Sequence, residues 1–390
     1  MTIPVKKIST FCKTGSGGTP SRSNNAFFEN GTIPWVKSGE LKNRYITEVE
    51  EYITDLAVEK SSAKLVSKGS LLIAMYGATV GEVSQLTFDA TTNQAICNIQ
   101  PDENVCDVNY LYRFLEASKS YLLSRRVGGG QPNISQSVIK DLDVPLPPLA
   151  EQRRIASILD QADELRQKRQ QAIEKLDQLL QATFIEMFGD PVSNPKGWEK
   201  VKFEDEVEFL TGFAFKSADF KDSGIKLCRG INVLPNTLDW NDTAYWNEKE
   251  LEKYSRFKIL QNDILVAMDR PWISTGFKIT LVKENDPNML LVQRVARLRV
   301  KESFGANFLF QILSMPEFKK HCRITETTVP HISPTDFKSF DLIKPDNHMI
   351  EKFEKIAKLI NIQKDKMRDS EVQNDNLFAS LQTQAFNGTL

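Results

Sequence analysis

Four groups of residues in this 390-residue chain are of the types that do chemistry, and each stops short of a working constellation. The stretch "GSGGTPS" at 15–21 is rich enough in glycine to wrap a phosphate, but it lacks the Gly-Lys-Ser/Thr ending of a phosphate loop and reads as a surface turn. Asp269-Arg270-Pro271-Trp272 has the acid and the aromatic ring of the Asp-Pro-Pro-aromatic loop that amino-methyltransferases use. Arginine stands where the first proline belongs, and no glycine-rich cofactor loop accompanies it. Glu317-Phe318-Lys319 and Asp336-Phe337-Lys338 fit the tail of a nuclease carboxylate–lysine motif, a pattern short enough to arise by chance. His321, His331 and His348 have no metal-ligand spacing, and the five cysteines (Cys12, Cys97, Cys106, Cys228, Cys322) contain no CxxC pair, which disfavours zinc and a disulfide framework. The sequence points to a protein that binds.

What it binds is suggested by loops of another kind. "WVKSGELKNR" at 35–44 aligns with "LCRGINVLPN" at 227–236, and "MYGATVGE" at 75–82 with "MDRPWISTG" at 268–276. Arginine and lysine can take guanine edges, asparagine takes adenine, and small hydroxyl residues contact phosphates. The candidate DNA contacts are Lys37, Ser38, Lys42, Asn43, Arg44, Tyr76 and Thr79 in the first set, and Arg229, Asn232, Arg270, Trp272, Ser274 and Thr275 in the second. Arg294, Arg297, Arg299 and Lys301 line a strand-like run, either as a DNA-facing basic strip or as a solvated face. The net charge of −1 gives no global basic signal, so any such surface must be local. No run approaches the roughly 20 apolar residues of a membrane span. "MTIPVKKIST" lacks the apolar core of a signal peptide, so the cytoplasm is the expected compartment.

The loops come in pairs because the chain is duplicated. Pro132-Asn133-Ile134-Ser135 returns as Pro330-His331-Ile332-Ser333, Asp143 as Asp341 and Pro147 as Pro345, each 198 positions on. Upstream, "KGSLLIAMYG" at 68–77 answers to "QNDILVAMDR" at 261–270, and "NYLYRFLEAS" at 109–118 to "NFLFQILSMP" at 307–316. A period this long exceeds the roughly 20–50 residues of solenoid repeats and marks a domain duplication.

Each copy is followed by a long charged helix. The first is expected from about Glu151 to Phe188, stopped by Gly189 and Asp190-Pro191. Residues 155, 158, 162, 165, 169, 172, 176, 179 and 183 read as a heptad seam interrupted at Arg169. A second stripe, Leu159, Ile173, Leu180 and Met187, widens the apolar face. The second helix starts after Asp346-Asn347, with a seam of Ile350, Phe353, Ala357, Ile360, Lys364, Met367, Glu371, Asn374, Phe378, Leu381 and Ala385. Paired antiparallel, the helices would set Arg169 opposite Glu371. At 1.5 Å per residue a helix of about 37 residues is on the order of 55 Å long, which suits a ruler between two recognition modules.

The motifs "GGTP" (17–20), "IPWVKSGEL" (33–41), "KGSLLIAMYGATVGEV" (68–83), "TTNQAICNI" (91–99), "GGGQPNIS" (128–135) and "PLPPLAEQRRIASILDQADEL" (145–165) closely resemble the specificity subunit of type I restriction–modification enzymes. The second half departs from the pattern: His331 replaces the asparagine of the Pro-Asn-Ile-Ser turn, and "KPDNHMIEKFEKI" stands where the Pro-Leu-Pro-Pro and Glu-Gln-Arg-Ile-Ala stretch belongs. The resemblance implies an α+β fold of two similar target recognition domains, joined by two long antiparallel helices in a pseudo-twofold coiled coil. The domains are expected at 1–147 and 191–345, and the helical spacers at 148–190 and 346–390. It further implies a non-catalytic subunit that recognises a bipartite double-stranded DNA target. Such a subunit recruits two methyltransferase subunits holding S-adenosylmethionine and two restriction subunits using ATP and Mg2+, and carries no cofactor itself. Leu159, Ile173, Leu180 and Met187 are then the candidate docking face for the methyltransferase. The competing classes are a single-chain methyltransferase or nuclease, and a protein scaffold that never touches DNA.

Overall fold

The computed structural model describes residues 3–126, 133–301, 304–322 and 330–390, without the side chain of Val372. The glycine run of the first repeat with Pro132, and residues 326–329 of the second, lie outside the described residues. The chain divides into two compact units, Met1–Gln170 with Asp369–Leu390, and Gln171–Arg368.

The two units repeat one topology. In the first, a sheet orders the strands Cys12–Ser16, Ile96–Pro101, Leu71–Ala74, Val83–Leu86 and Tyr45–Ile46, antiparallel except for its last pair. In the second, Val207–Thr211, Val295–Val300, Ile264–Ala267 and Ile279–Leu281 follow the same order. A smaller sheet accompanies each: Ile33–Val36 lies between antiparallel Tyr52–Ile53 and parallel Ala90–Thr92, as Ile225–Cys228 lies between Tyr245–Trp246 and Met289–Leu291. Val5–Lys7 with Asp143–Pro145, and Glu199–Val201 with Leu342–Lys344, form a third pairing.

The run "LLIA" and its copy "ILVA" are apolar at every position because both faces of these strands are covered. Leu71 and Ile73 enter one core while Leu72 and Ala74 enter another. Ile264 and Val266 divide from Leu265 and Ala267 in the same way, as the two-residue alternation of a strand demands. The Ile-Ser turn is structural. Ile134 and Ile332 are buried, and their amides donate to the carbonyls of Met75 (2.7 Å) and Met268 (2.9 Å). Ser135 caps the helix Gln136–Lys140; Ser333 with Asp336 makes a capping box on Pro334–Lys338.

The long helices are Leu149–Phe188 and Asn347–Asn387. In the first unit Ile155, Ala156 and Leu159 share a core with Phe378 and Ala385, and Arg166 pairs with Asp375 at 2.7 Å, so the helices run antiparallel there. In the second unit Leu180, Phe184 and Phe188 pack with Ile350, Phe353, Ala357 and Ile360, again antiparallel, and Lys364 is ion-paired to Asp177. The second helix buries Ile350, Phe353, Ala357, Ile360, Lys364, Phe378 and Ala385 of its expected seam and half-buries Met367, Glu371, Asn374 and Leu381.

The first helix does not follow its expected heptad seam. Leu165 and Leu179 are 61% and 52% exposed, while Leu159, Ile173, Leu180, Phe184 and Phe188 are buried. A straight helix drifts about 20° per heptad against a 3.5-residue repeat. From Ile155 onward the buried line steps by 3.6 residues, and by the far end it has moved almost one residue. The Arg169–Glu371 pair is likewise not formed. The acid one turn further on, Asp375, takes the arginine one turn earlier, Arg166, and Arg169 keeps one buried guanidinium nitrogen without a hydrogen-bond partner.

The phase is testable by urea unfolding. Phe184→Ala should cost about 3–5 kcal/mol, whereas Leu179→Ala should stay within about 0.5 kcal/mol; equal losses would restore the heptad seam. Lys364 is only 5% exposed and Asp177 is its acid partner. Asp177→Ala should therefore cost about 1–3 kcal/mol by leaving the ammonium unsatisfied, and Lys364→Met should be close to neutral.

Candidate nucleic-acid interface

In each unit the fully buried central strand runs out into a loop held at three equivalent points. The amide of Ala74 accepts no freedom: it donates to the Glu82 carbonyl at 3.0 Å, as Ala267 does to Lys278. Met75 donates to Ala95 (2.7 Å) and Met268 to Arg294 (2.9 Å). Beyond them Tyr76 bridges to Asn133, and Asp269 to His331. The conserved order of these contacts within the chain shows that the loops at 75–82 and 268–278 are the same feature, built twice.

The first candidate set splits into committed and free side chains. The Lys37 ammonium lies 2.7 Å from Glu50 and 2.9 Å from Glu51, which raises its pKa; Arg22, with help from Lys37, in turn lowers Glu51 to about 2. Arg44 is held by Asp160 (2.6 Å) and Asn109 (2.9 Å) and stacks over Tyr45 and Tyr112. Thr79 donates its hydroxyl to the Ser38 carbonyl at 2.7 Å, tying two candidate loops together. Tyr76 is half-buried, and burial raises its phenol. Lys42 and Asn43 are exposed, with no side-chain hydrogen bond or ion pair among the described residues.

The second set divides likewise. Asn232 is 1% exposed and spends its amide on the carbonyls of Asp239 and Asp242, both at 2.9 Å. Arg229 is bound to Asp242 at 2.8 Å. These two hold a loop in shape. Trp272 stacks on Phe277 (4.7 Å between ring centres, 15° between planes) across the hairpin of Trp272–Ile273 with Gly276–Phe277. That hairpin carries Ser274 and Thr275 exposed at its tip; Arg270, exposed just before it, has no side-chain partner among the described residues.

The basic run at 294–301 is no open strip. Arg297 is buried, bonded to Glu208 (2.5 Å) and to the carbonyls of Arg256 and Lys258 (3.1 Å each), and burial lowers its pKa. Arg299 is clamped by Asp263 at 2.7 and 2.8 Å. Only Arg294 of the three arginines points a largely exposed guanidinium outward, lightly held by Asp269 at 3.3 Å.

The expected docking stripe also faces inward. Leu159 and Leu180 belong to the two cores, Ile173 is buried and Met187 packs against the second core. The apolar side chains that the helices leave exposed are Leu165, Leu179 and Ile185 on the first, and Leu359, Ile362 and Leu377 on the second. What sequence reading missed is a buried ion cluster. Arg113, 1% exposed, is held by Asp160 (2.7 Å), Glu116 (2.9 Å) and Asp163 (3.1 Å), and Arg166 joins it through Asp163. The signal available was two aspartates three apart on the long helix, which a helical face also shows when merely solvated. Among the described residues no group of three or more His, Cys, Asp or Glu is placed to hold a metal, and no helix is long and apolar enough to cross a membrane.

The sequence model of the type I restriction–modification DNA specificity domain matches twice, over residues 2–175 and 195–367. Among curated proteins, the chain is 27% identical over 349 residues to the type I restriction enzyme MjaVIII specificity subunit of Methanocaldococcus jannaschii, covering 83% of this chain and 82% of that one. It is 26% identical to the MjaIX specificity subunit of the same organism, over 92% and 88% of the two chains. Among solved structures, the S subunit of a type I system from M. genitalium aligns over 99% of both chains with a TM-score of 0.58 at 14% identity, a likeness of fold. Since the model matches both copies of the duplicated module and most of the chain, this protein belongs to the type I restriction–modification DNA specificity family, the non-catalytic DNA-recognition subunits of those enzymes.

Proposed function

We propose that the chain reads a bipartite double-stranded DNA target, with the domain at 1–147 specifying one half-site and the domain at 191–345 the other, and that residues 148–190 and 346–390 serve as helical spacers. The observation that carries this is the pair of equivalent loops at 75–82 and 268–278, each pinned to its own Ile-Ser segment. One loop in each unit, built on the same scaffold with different side chains, is what two independent readings of DNA need. Lys42 and Asn43 in the first unit, and Arg270, Ser274 and Thr275 in the second, are the free candidates for direct contact, with Tyr76, Thr79, Ser38 and Trp272 shaping the loops that carry them.

The helices would dock two methyltransferase subunits, which bind S-adenosylmethionine, and through them two restriction subunits, which use ATP and Mg2+. The side chains suited to that docking are the exposed ones, Leu165, Leu179 and Ile185 with Leu359, Ile362 and Leu377, in place of the buried stripe. An apolar face rimmed by charge is a common mark of a protein interface.

Replacing residues 1–147 by the equivalent domain of a relative should change one half of the methylated sequence, read by methylome sequencing of cells that also express the partner subunits. A change in both halves would show that the domains do not read independently. Leu179→Glu should weaken methyltransferase binding in a pull-down while leaving the melting temperature unchanged; undiminished capture would remove Leu179 from the docking face.

A further inference from the structure

The duplication supplies an internal control for the DNA-reading loops, and the second copy departs from the first in a consistent direction. The loop closed by the Ala74–Glu82 hydrogen bond holds seven residues, 75–81; the one closed by Ala267–Lys278 holds ten, 268–277. The first turns at Gly77, with φ of 90°, where glycine is at ease. The second turns at Arg270, with φ of 45°. Across the loop, the carbonyl that receives the methionine amide belongs to Ala95 in the first unit and to Arg294, with φ of 68°, in the second. Two arginines therefore occupy left-handed backbone, which costs a non-glycine residue of order 1 kcal/mol or more and gathers at functional sites. Among the described residues, internal bonding explains the position of neither guanidinium. Among the described residues, Arg270 has no side-chain partner and Arg294 has only the 3.3 Å contact to Asp269.

The residue that closes the loop changes sign as well. Glu82 is half-exposed and paired with Lys119 at 2.6 Å. Its counterpart Lys278 is buried, and its ammonium is hydrogen-bonded to the Gly230 carbonyl. That bond fastens the loop carrying Arg229 and Asn232 to the loop carrying Arg270. Burial lowers the Lys278 pKa, with Asp269 raising it and Arg270 lowering it, so these three charges share one neighbourhood.

We infer that Arg270 and Arg294 form a two-arginine grip on DNA in the second recognition domain, positioned by Lys278 and Asp269, and that the first domain has no equivalent. This rests on the DNA-reading role proposed above. The ligand chemistry is a pair of adjacent acceptor atoms, offered either by phosphate oxygens or by O6 and N7 of guanine. Asp269 engages one side of the Arg294 guanidinium and leaves donors for such a pair.

The test uses complexes of the full chain with its methyltransferase subunits, comparing Arg270→Gly, Arg294→Gly and Arg294→Ala with the unaltered chain. Glycine removes the side chain and the backbone strain together. The expected result is an unchanged or higher melting temperature, with binding to the methylome-defined target weakened roughly tenfold to a hundredfold. If the contact is to phosphate, the loss is equal for all sequences and the salt slope falls by about 1 for each arginine. If it is to guanine, one position of the second half-site relaxes while the first half-site is unaltered. Glycine variants that bind within twofold of the unaltered chain would overturn the inference. So would variants that melt lower in step with weaker binding, since the arginines would then be structural. An unaltered complex that methylates no bipartite sequence would instead overturn the reading on which the inference rests.

Discussion

The structure depends on one constraint: in each recognition module, one of the cores is closed by residues of the long helices. In the first unit, Tyr110 and Phe114 pack edge-on against Phe386, and Phe378 and Ala385 lie in the same core as Ile155 and Leu159. In the second, Phe184, Phe188 and Phe353 surround Phe308 of the module's short helix. Aromatic clusters of this kind combine large buried area with favourable edge-to-face geometry. The helices are thus part of each module's interior as well as its support. That explains why the largest side chains of the first helix point inward at a 3.6-residue period, and why only smaller runs of leucine and isoleucine are left outside.

The two units solve the same electrostatic problem differently. Each has a cation beneath its module that must be satisfied where water is scarce. The first surrounds Arg113 with three carboxylates and lets Asp160 serve Arg44 too, so module and helix share acids. The second buries Arg297 against Glu208 and backbone carbonyls inside the module, and leaves Lys364 to a single aspartate on the opposing helix. At the end of the short helix, the first unit caps with Asp107, the second with Gly305 and the Glu354 carboxylate, which receives the Phe308 amide at 2.8 Å. Replacing a local cap by a carboxylate from the long helix makes the same helix terminus a point of attachment.

How much of this was legible in the sequence follows from what each signal encodes. The 198-residue offset transmitted the duplicated topology faithfully, since Ile134 and Ile332, Ser135 and Ser333 do the same work in both copies. Helix extent was legible from Gly189 and from the Asp346-Asn347 start. The seam of the first helix was not, because Leu165 and Leu179 fit a heptad template as well as Leu159, Ile173 and Leu180 fit a straight helix, and only packing chooses. The site was the least legible part. Arg44, Asn232 and Arg297 have the chemistry of base readers, yet acids and carbonyls from distant stretches consume them, and no local pattern announces such partners. Arg294 was visible only as one of a run; its left-handed backbone sets it apart.

The unit made of Met1–Gln170 and Asp369–Leu390 is discontinuous in sequence, whereas Gln171–Arg368 is not. A growing polypeptide therefore emits the first recognition module early but cannot seal it until Phe378, Ala385 and Phe386 have left the ribosome. During the synthesis of some 200 intervening residues, Tyr110, Phe114 and Leu159 remain without their final neighbours, whereas the second unit is complete once Arg368 has emerged. The module translated first is finished last, and its apolar floor stays open the longest.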